Sequence, residues 1–333
     1  MRRRGRRLRG RCGCRCGLLL FGRLGLRLGG GGWLLGGGLG ARAGLARLLL
    51  GSGGRLLGLG SGLLGLLLSE VGGGLLRGSL GGGLGGRQRV VLPGPLSRAG
   101  GLGPPDGDEA GIRAAVEAAE ASGAAVRMSW YAPDGGIRTA GALEDLPAWS
   151  TSKIPLALAV IDSGQGEAQA DSVALALEES DNSAADALWM SLGGTDAERA
   201  DAVTQVLRRA GDGTTTVPAE QLAAGFSIFG QTQWTTDAQV GFLSQLPCLD
   251  GADEVIADMG RVDPAQAWGI GSRPGAVHKS GWGPSPAGGY MARQLGWYTN
   301  PAGQRVLVAM AAQDADGFEA ATAVLDRLAA SLG

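Results

Sequence analysis

Residues 104–333 predict an α+β fold: a mostly antiparallel five-stranded sheet flanked by terminal helices, with a separate all-helical lobe. Three observations carry this reading. Strand patterns occur only towards the two ends of that stretch, in residues 126–143 and 276–313. Helical patterns open and close it. Between the strand groups lies an alanine-rich block, residues 150–210, that favours helix. Strands and helices segregated in this way suit an antiparallel sheet covered by its terminal helices. A cleft between sheet and lobe is then a natural place for a ligand.

Taken in order, residues 108–122 (DEAGIRAAVEAAEAS) start with acids, which suit the positive end of a helix dipole. Val126, Met128 and Trp130 alternate with Arg127, Ser129 and Tyr131, the period of a half-buried strand. APDGG makes a turn, and IRTAGAL is the hairpin partner. A helix is expected from Ser150 to Asp162, and further helical sequence runs through residues 172–210. The stretch from Gly211 to Asp237 is rich in Thr, Gln and Gly and reads as loop with short helices. AVHKSGWG, YMARQLGWYT and QRVLVAMAAQ read as three strands joined by Pro/Gly turns. Phe318, Ala321, Val324, Leu325 and Leu328 then recur at helical spacing.

The first 103 residues are of another kind. They hold 35 of the 63 glycines and lack Ile, Thr, Lys, Asn and Asp altogether. Their 17 arginines face a single acid, Glu70, a net +16, whereas residues 104–333 carry −17. So much glycine raises the entropy cost of any fixed backbone. This low-complexity segment is expected to be disordered, or to be a mistranslation of GC-rich DNA. Its apolar runs are broken by Gly and Arg, so no membrane helix of about 20 apolar residues is expected and no signal peptide is legible. Aromatics are too few for a nucleic-acid arm. Cys12, Cys14 and Cys16 have no matching metal-ligand spacing, and Cys248 is the one cysteine of residues 104–333.

Two lysines serve the whole chain beside 28 arginines, and both fall in short motifs. Ser150 and Lys153 stand three apart at the start of a helix, hence on one face. A serine hydroxyl needs a neighbouring base, and a desolvated lysine can supply it where arginine cannot. Lys279 lies in His278-Lys-Ser-Gly281, followed by Trp282. Between the two, Ser180-Asp-Asn182 interrupts a helical pattern, either as a cap or turn or to present polar groups to a cleft. His278 neighbours Lys279 on a strand and so points to the opposite face, which argues against a Ser-His-Asp triad. Arg293 is read as a surface residue or an aid to carboxylate binding.

These three motifs, in this order, resemble the S-x-x-K, S-D-N and K-T-G set of the class A β-lactamases and penicillin-binding proteins. The resemblance covers residues 108–333. It implies Ser150 as the acylated nucleophile and Lys153 as the group that accepts its proton. Ser180 would relay a proton to the leaving nitrogen, Asn182 would hold the substrate amide, and Lys279 would support the site electrostatically. Ser280, where the motif has Thr, would bind a substrate carboxylate beside Gly281. The backbone N–H groups of Ser150 and Trp282 would form the oxyanion hole.

The family's E-x-x-L-N motif, source of the deacylating base, is absent, and Glu220 lies in about the right region. Only 30 residues separate Ser150 from Ser180, so a reduced helical lobe is expected. The resemblance implies a serine hydrolase that opens β-lactams. Alternatives are a D,D-carboxypeptidase or transpeptidase acting on peptidoglycan peptides, and a non-catalytic module binding cell-wall fragments. It also implies a monomer acting outside the cytoplasm, with no metal or organic cofactor.

Overall fold

In the computed structural model, which describes residues 100–285 and 288–333, Asp108 opens the first helix by accepting a hydrogen bond from Gly111 N. That helix, α1 (Glu109–Ala121), buries Ile112, Val116 and Ala119 and ends at Ser122. Expectations for residues 1–99, the CxCxC run included, lie outside the described residues.

The sheet comprises β1 (Gly100–Leu102), β2 (Ala125–Tyr131), β3 (Ile137–Ala140), β4 (Val277–Pro284), β5 (Tyr290–Thr299) and β6 (Gln304–Asp314). Five strands run antiparallel in the order β3-β2-β6-β5-β4, which puts β4 on an edge. A sixth strand, β1, lies parallel beside the start of β6, with Gly100 opposite Gln304. It precedes residue 104, and its sequence, Gly-Gly-Leu, has too few side chains to show a period.

Between β3 and β4 the chain forms the helical lobe. A 3₁₀ turn (Trp149–Ser152) leads into α2 (Lys153–Asp162), followed by α3 (Ala170–Glu178), α4 (Asn182–Ser191) and α5 (Asp196–Arg209). Residues 172–210, read as one helical stretch, are thus divided by the Ser180 and Gly193-Gly194 turns. Two more helices, α6 (Thr236–Gln245) and α7 (Ala252–Met259), occupy a region to which the sequence pattern assigned nothing. α6 hides this way because it buries polar Thr236 and Gln239 beside Val240, Phe242 and Leu243. A helix whose buried face is mixed shows no apolar stripe. The last helix, α8 (Phe318–Ala330), buries Val324, Leu325 and Leu328.

Two apolar cores lie on either face of the sheet. One joins α1 and α8 to Val126, Met128, Trp130, Val308 and Met310. The other joins the helical lobe to Leu295, Trp297, Leu307 and Ala309. At its centre α2 is buried from Lys153 to Val160, the mark of a helix surrounded by others. Burying one Leu or Ile side chain is worth about 2 kcal/mol, so the lobe holds this helix, and the residues at its start, firmly. Among the described residues no helix is long and apolar enough to cross a membrane.

Candidate active site

Ser150 sits in the 3₁₀ turn ahead of α2, and the segment leading to it is tied down on both sides. Ala148 N donates to Thr232 O at 2.7 Å, and Trp234 N donates to Leu146 O at 3.0 Å. Arg293, on β5, is fully buried and donates through its guanidinium to Leu146 O and Pro147 O, both at 2.8 Å, and to Trp234 O at 2.7 Å. It is neither a surface residue nor a carboxylate ligand: it ties the segment that leads into Ser150 to the segment at Trp234. Burial without a carboxylate partner pulls its guanidinium down to about 9. Trp149, next to Ser150, has φ +48°, a left-handed backbone that L side chains adopt at a cost.

Lys153 opens α2 with its ammonium turned towards the start of α4. Nζ donates to Ser180 O at 2.6 Å, Asp181 O at 3.2 Å and Asn182 Oδ1 at 2.8 Å. Burial lowers it to about 8, against the opposing charges of Asp181 and Asp186. The Ser180–Asn182 triplet plays both parts that its composition allowed. Asp181 caps α4 by accepting from Ala184 N at 2.6 Å, while Ser180, at φ +60°, turns its hydroxyl the other way. That hydroxyl accepts from Lys279 Nζ at 2.8 Å. Lys279 is itself completely buried, which pushes its ammonium well below the ordinary lysine value, with the charge of Lys153 adding to the effect.

β4 reaches this cluster because two of its residues lack side chains. A Cβ on Gly281 would stand 2.8 Å from Ser150 N and 3.0 Å from Ala148 O. One on Gly283 would overlap the Trp149 ring. As an edge strand, β4 also leaves alternate backbone N–H groups unpaired within the sheet. The cleft that results, of 260 Å³, is lined by Ser150, Ser180, Asn182, Trp282, Tyr290 and Asp186, and by Phe226 and Ser227 of the long loop. Phe226 meets Trp149 edge-on at 5.2 Å.

Two further sequence expectations need correction. Ser280 does not face the cleft: alternation along β4 buries its Oγ on the other side, where it accepts from Gln294 Nε2 at 3.0 Å. Glu220 is exposed on the long loop and does not line the cleft. His278 points away, as alternation requires, with Nε2 3.3 Å from Gln266 O; burial depresses its ring to about 4. One cleft residue passed over in the sequence is Asp186, although its position one turn beyond Asn182 signalled it. Among the described residues no group of three or more His, Cys, Asp or Glu is placed to hold a metal ion.

The fold is similar to that of solved serine β-lactamases, as the motif resemblance implies. Solved structures similar in fold include a β-lactamase from Sphaerobacter thermophilus, at 22% identity and TM-score 0.53, covering 67% of this chain and 96% of that one. The TLA-3 extended-spectrum β-lactamase gives 16% and 0.54, covering 67% and 98%. A β-lactamase from Chitinophaga pinensis gives 19% and 0.52, covering 66% and 97%. No family model and no curated protein sequence matches the chain.

Proposed function

We propose that this protein is a serine acyl hydrolase that opens β-lactam amides through an acyl-Ser150 intermediate. The observation that supports this best is the junction of both lysines with Ser180 beside the cleft that Ser150 lines. In the neutral form, which its lowered pKa favours, Lys153 takes the proton of Ser150 Oγ as that oxygen attacks the lactam carbonyl carbon. The oxyanion that forms is held by the backbone N–H groups of Ser150 and Trp282, which the missing Cβ of Gly281 allows to approach each other. Ser180 Oγ gives its proton to the lactam nitrogen as the C–N bond breaks and is reprotonated from the lysine pair. Asn182 orients the substrate amide. A substrate carboxylate is drawn by the positive charge of Lys279 behind Ser180 rather than by Ser280 Oγ. The protein acts outside the cytoplasm, as a monomer.

Intact mass of the purified protein during incubation with benzylpenicillin tests the proposal. The expected result is one adduct that forms and clears as lactam absorbance falls, and that is missing in Ser150→Ala. The withdrawal of Glu220 from the cleft favours a second reading, a D,D-peptidase that lactams merely trap. A persistent adduct, together with release of D-alanine from a cell-wall peptide, would establish it. No adduct at all would leave a binding module.

A further inference from the structure

Deacylation needs a base that can strip a proton from water beside the ester carbonyl of acyl-Ser150, and Glu220 is not in the cleft. Of the residues that line the cleft with Ser150, one is a carboxylate: Asp186. We propose that Asp186 is the general base that activates the deacylating water. The inference rests on the acyl-Ser150 reading.

The geometry that carries it begins on α4. Residues four apart share a helix face, so Asp186 stands one turn beyond Asn182 on the side whose Oδ1 receives Lys153 Nζ. Asp186 is therefore near the catalytic lysine without being bonded into its cluster, and its side chain is exposed to the cleft mouth. A second hollow, of 540 Å³, shares Asp186, Phe226 and Ser227 with the cleft. Asp186 thus stands at the junction of the cleft and the second hollow, on the helical-lobe helix α4.

The charged groups around it are Lys153 and Asp181 at the lobe's centre and Asp196 in the second hollow. Asp196 already accepts from Trp189 Nε1 and Arg199. Partial burial raises Asp186 above the ordinary aspartate value; Lys153 works against this and Asp181 with it. A carboxylate of raised basicity is a better base than an ordinary one.

The step balances. Water oxygen attacks the acyl carbon while Asp186 takes one water proton. The tetrahedral intermediate collapses with cleavage of the carbon–Ser150 Oγ bond, Lys153 relays to Oγ the proton that Asp186 took from water, and the penicilloic acid leaves.

The full chain and its D186N and D186E variants are mixed with benzylpenicillin, and the Ser150 adduct is timed by intact mass. The expected result is adduct formation in D186N within about threefold of wild type and clearance slowed about 100-fold or more, with partial recovery in D186E. The wild-type deacylation rate should also fall on the acid side, through a midpoint above the usual aspartate range. Clearance by D186N at the wild-type rate overturns the assignment. So does failure of a folded D186N to form the adduct, because the residue then acts in acylation. Should D186N melt early, a wild-type deacylation rate flat down to about pH 4 overturns it instead. A wild-type adduct that never clears sinks this inference and spares the acyl-serine reading, whereas absence of any Ser150-dependent adduct sinks both.

Discussion

Lys279 Nζ donates to Ser180 Oγ at 2.8 Å, joining residues 99 apart and tying the edge of the sheet to the helical lobe. The lysine is wholly buried, and its side-chain partner is a hydroxyl rather than a carboxylate. Replacing a buried charge with an apolar group of similar size is often neutral or stabilising. Lys279→Met is therefore expected to unfold within about 1 kcal/mol of wild type in urea while losing about 100-fold in acylation rate. A variant that kept its acylation rate would show that the charge behind Ser180 is not used.

The pH dependence should follow Lys153. Burial favours its neutral form, and its pKa falls to about 8. At pH 7 roughly one molecule in ten then holds the free amine, against well under one in a thousand for an ordinary lysine. Acylation measured by stopped flow should rise about tenfold per pH unit below that value and level off above it. A rate flat from about pH 6 to 9 would remove Lys153 as the base. Stability carries the matching sign. Between about 8 and the unfolded lysine value the unfolded chain binds more protons, so this group makes the fold more stable as pH rises through that window, and its penalty is full below it.

Gly281→Ala should be more harmful to activity than to folding. The new methyl would press on Ser150 N, Ala148 O and Thr151 N, all of them backbone atoms that cannot swing aside. The strand or the nucleophile's turn must shift, and displacement of a reacting group by about 1 Å costs about 100-fold. An acylation rate within threefold of wild type would mean that the approach of β4 to Ser150 has slack.

Arg293→Met removes the clamp on Leu146 O, Pro147 O and Trp234 O, and of these buried carbonyls Leu146 O alone keeps a described donor, Trp234 N. A loss of about 2–4 kcal/mol in urea unfolding is expected, with a slower acylation rate. Arg293→Lys should recover little of it, because one ammonium cannot span both segments as the planar guanidinium does. Full stability in Arg293→Met would show that the carbonyls find other donors.

The sequence disclosed the lysines best, because scarcity made them conspicuous. The two in the chain are the two that meet at Ser180. The strands of the second group were equally plain, since Val306, Val308 and Met310 of β6 share one face while Leu307 and Ala309 take the other. Ser280 follows the same alternation as His278, two residues before it on one face of β4, so the motif analogy that pointed it at the cleft fails. Glu220 and Asp186 show a different limit. Chain distance from a motif does not say where a long loop points, whereas helical spacing from Asn182 does. Arg293 gave no signal at all: what it binds is backbone carbonyl, which every residue possesses. β1 was invisible because glycine carries no pattern.

Both non-glycine residues with positive φ among the described residues, Trp149 and Ser180, border the cleft. Each such conformation costs about 1–3 kcal/mol, and glycine would relieve it. Glycine at 180 would also delete the hydroxyl that Lys279 holds. Heat tolerance and cleft chemistry therefore pull this position in opposite directions. A library of variants sorted only for survival on heating would enrich glycine there and discard the hydroxyl, whereas one sorted for lactam breakdown would keep a strained backbone in service of a single oxygen atom.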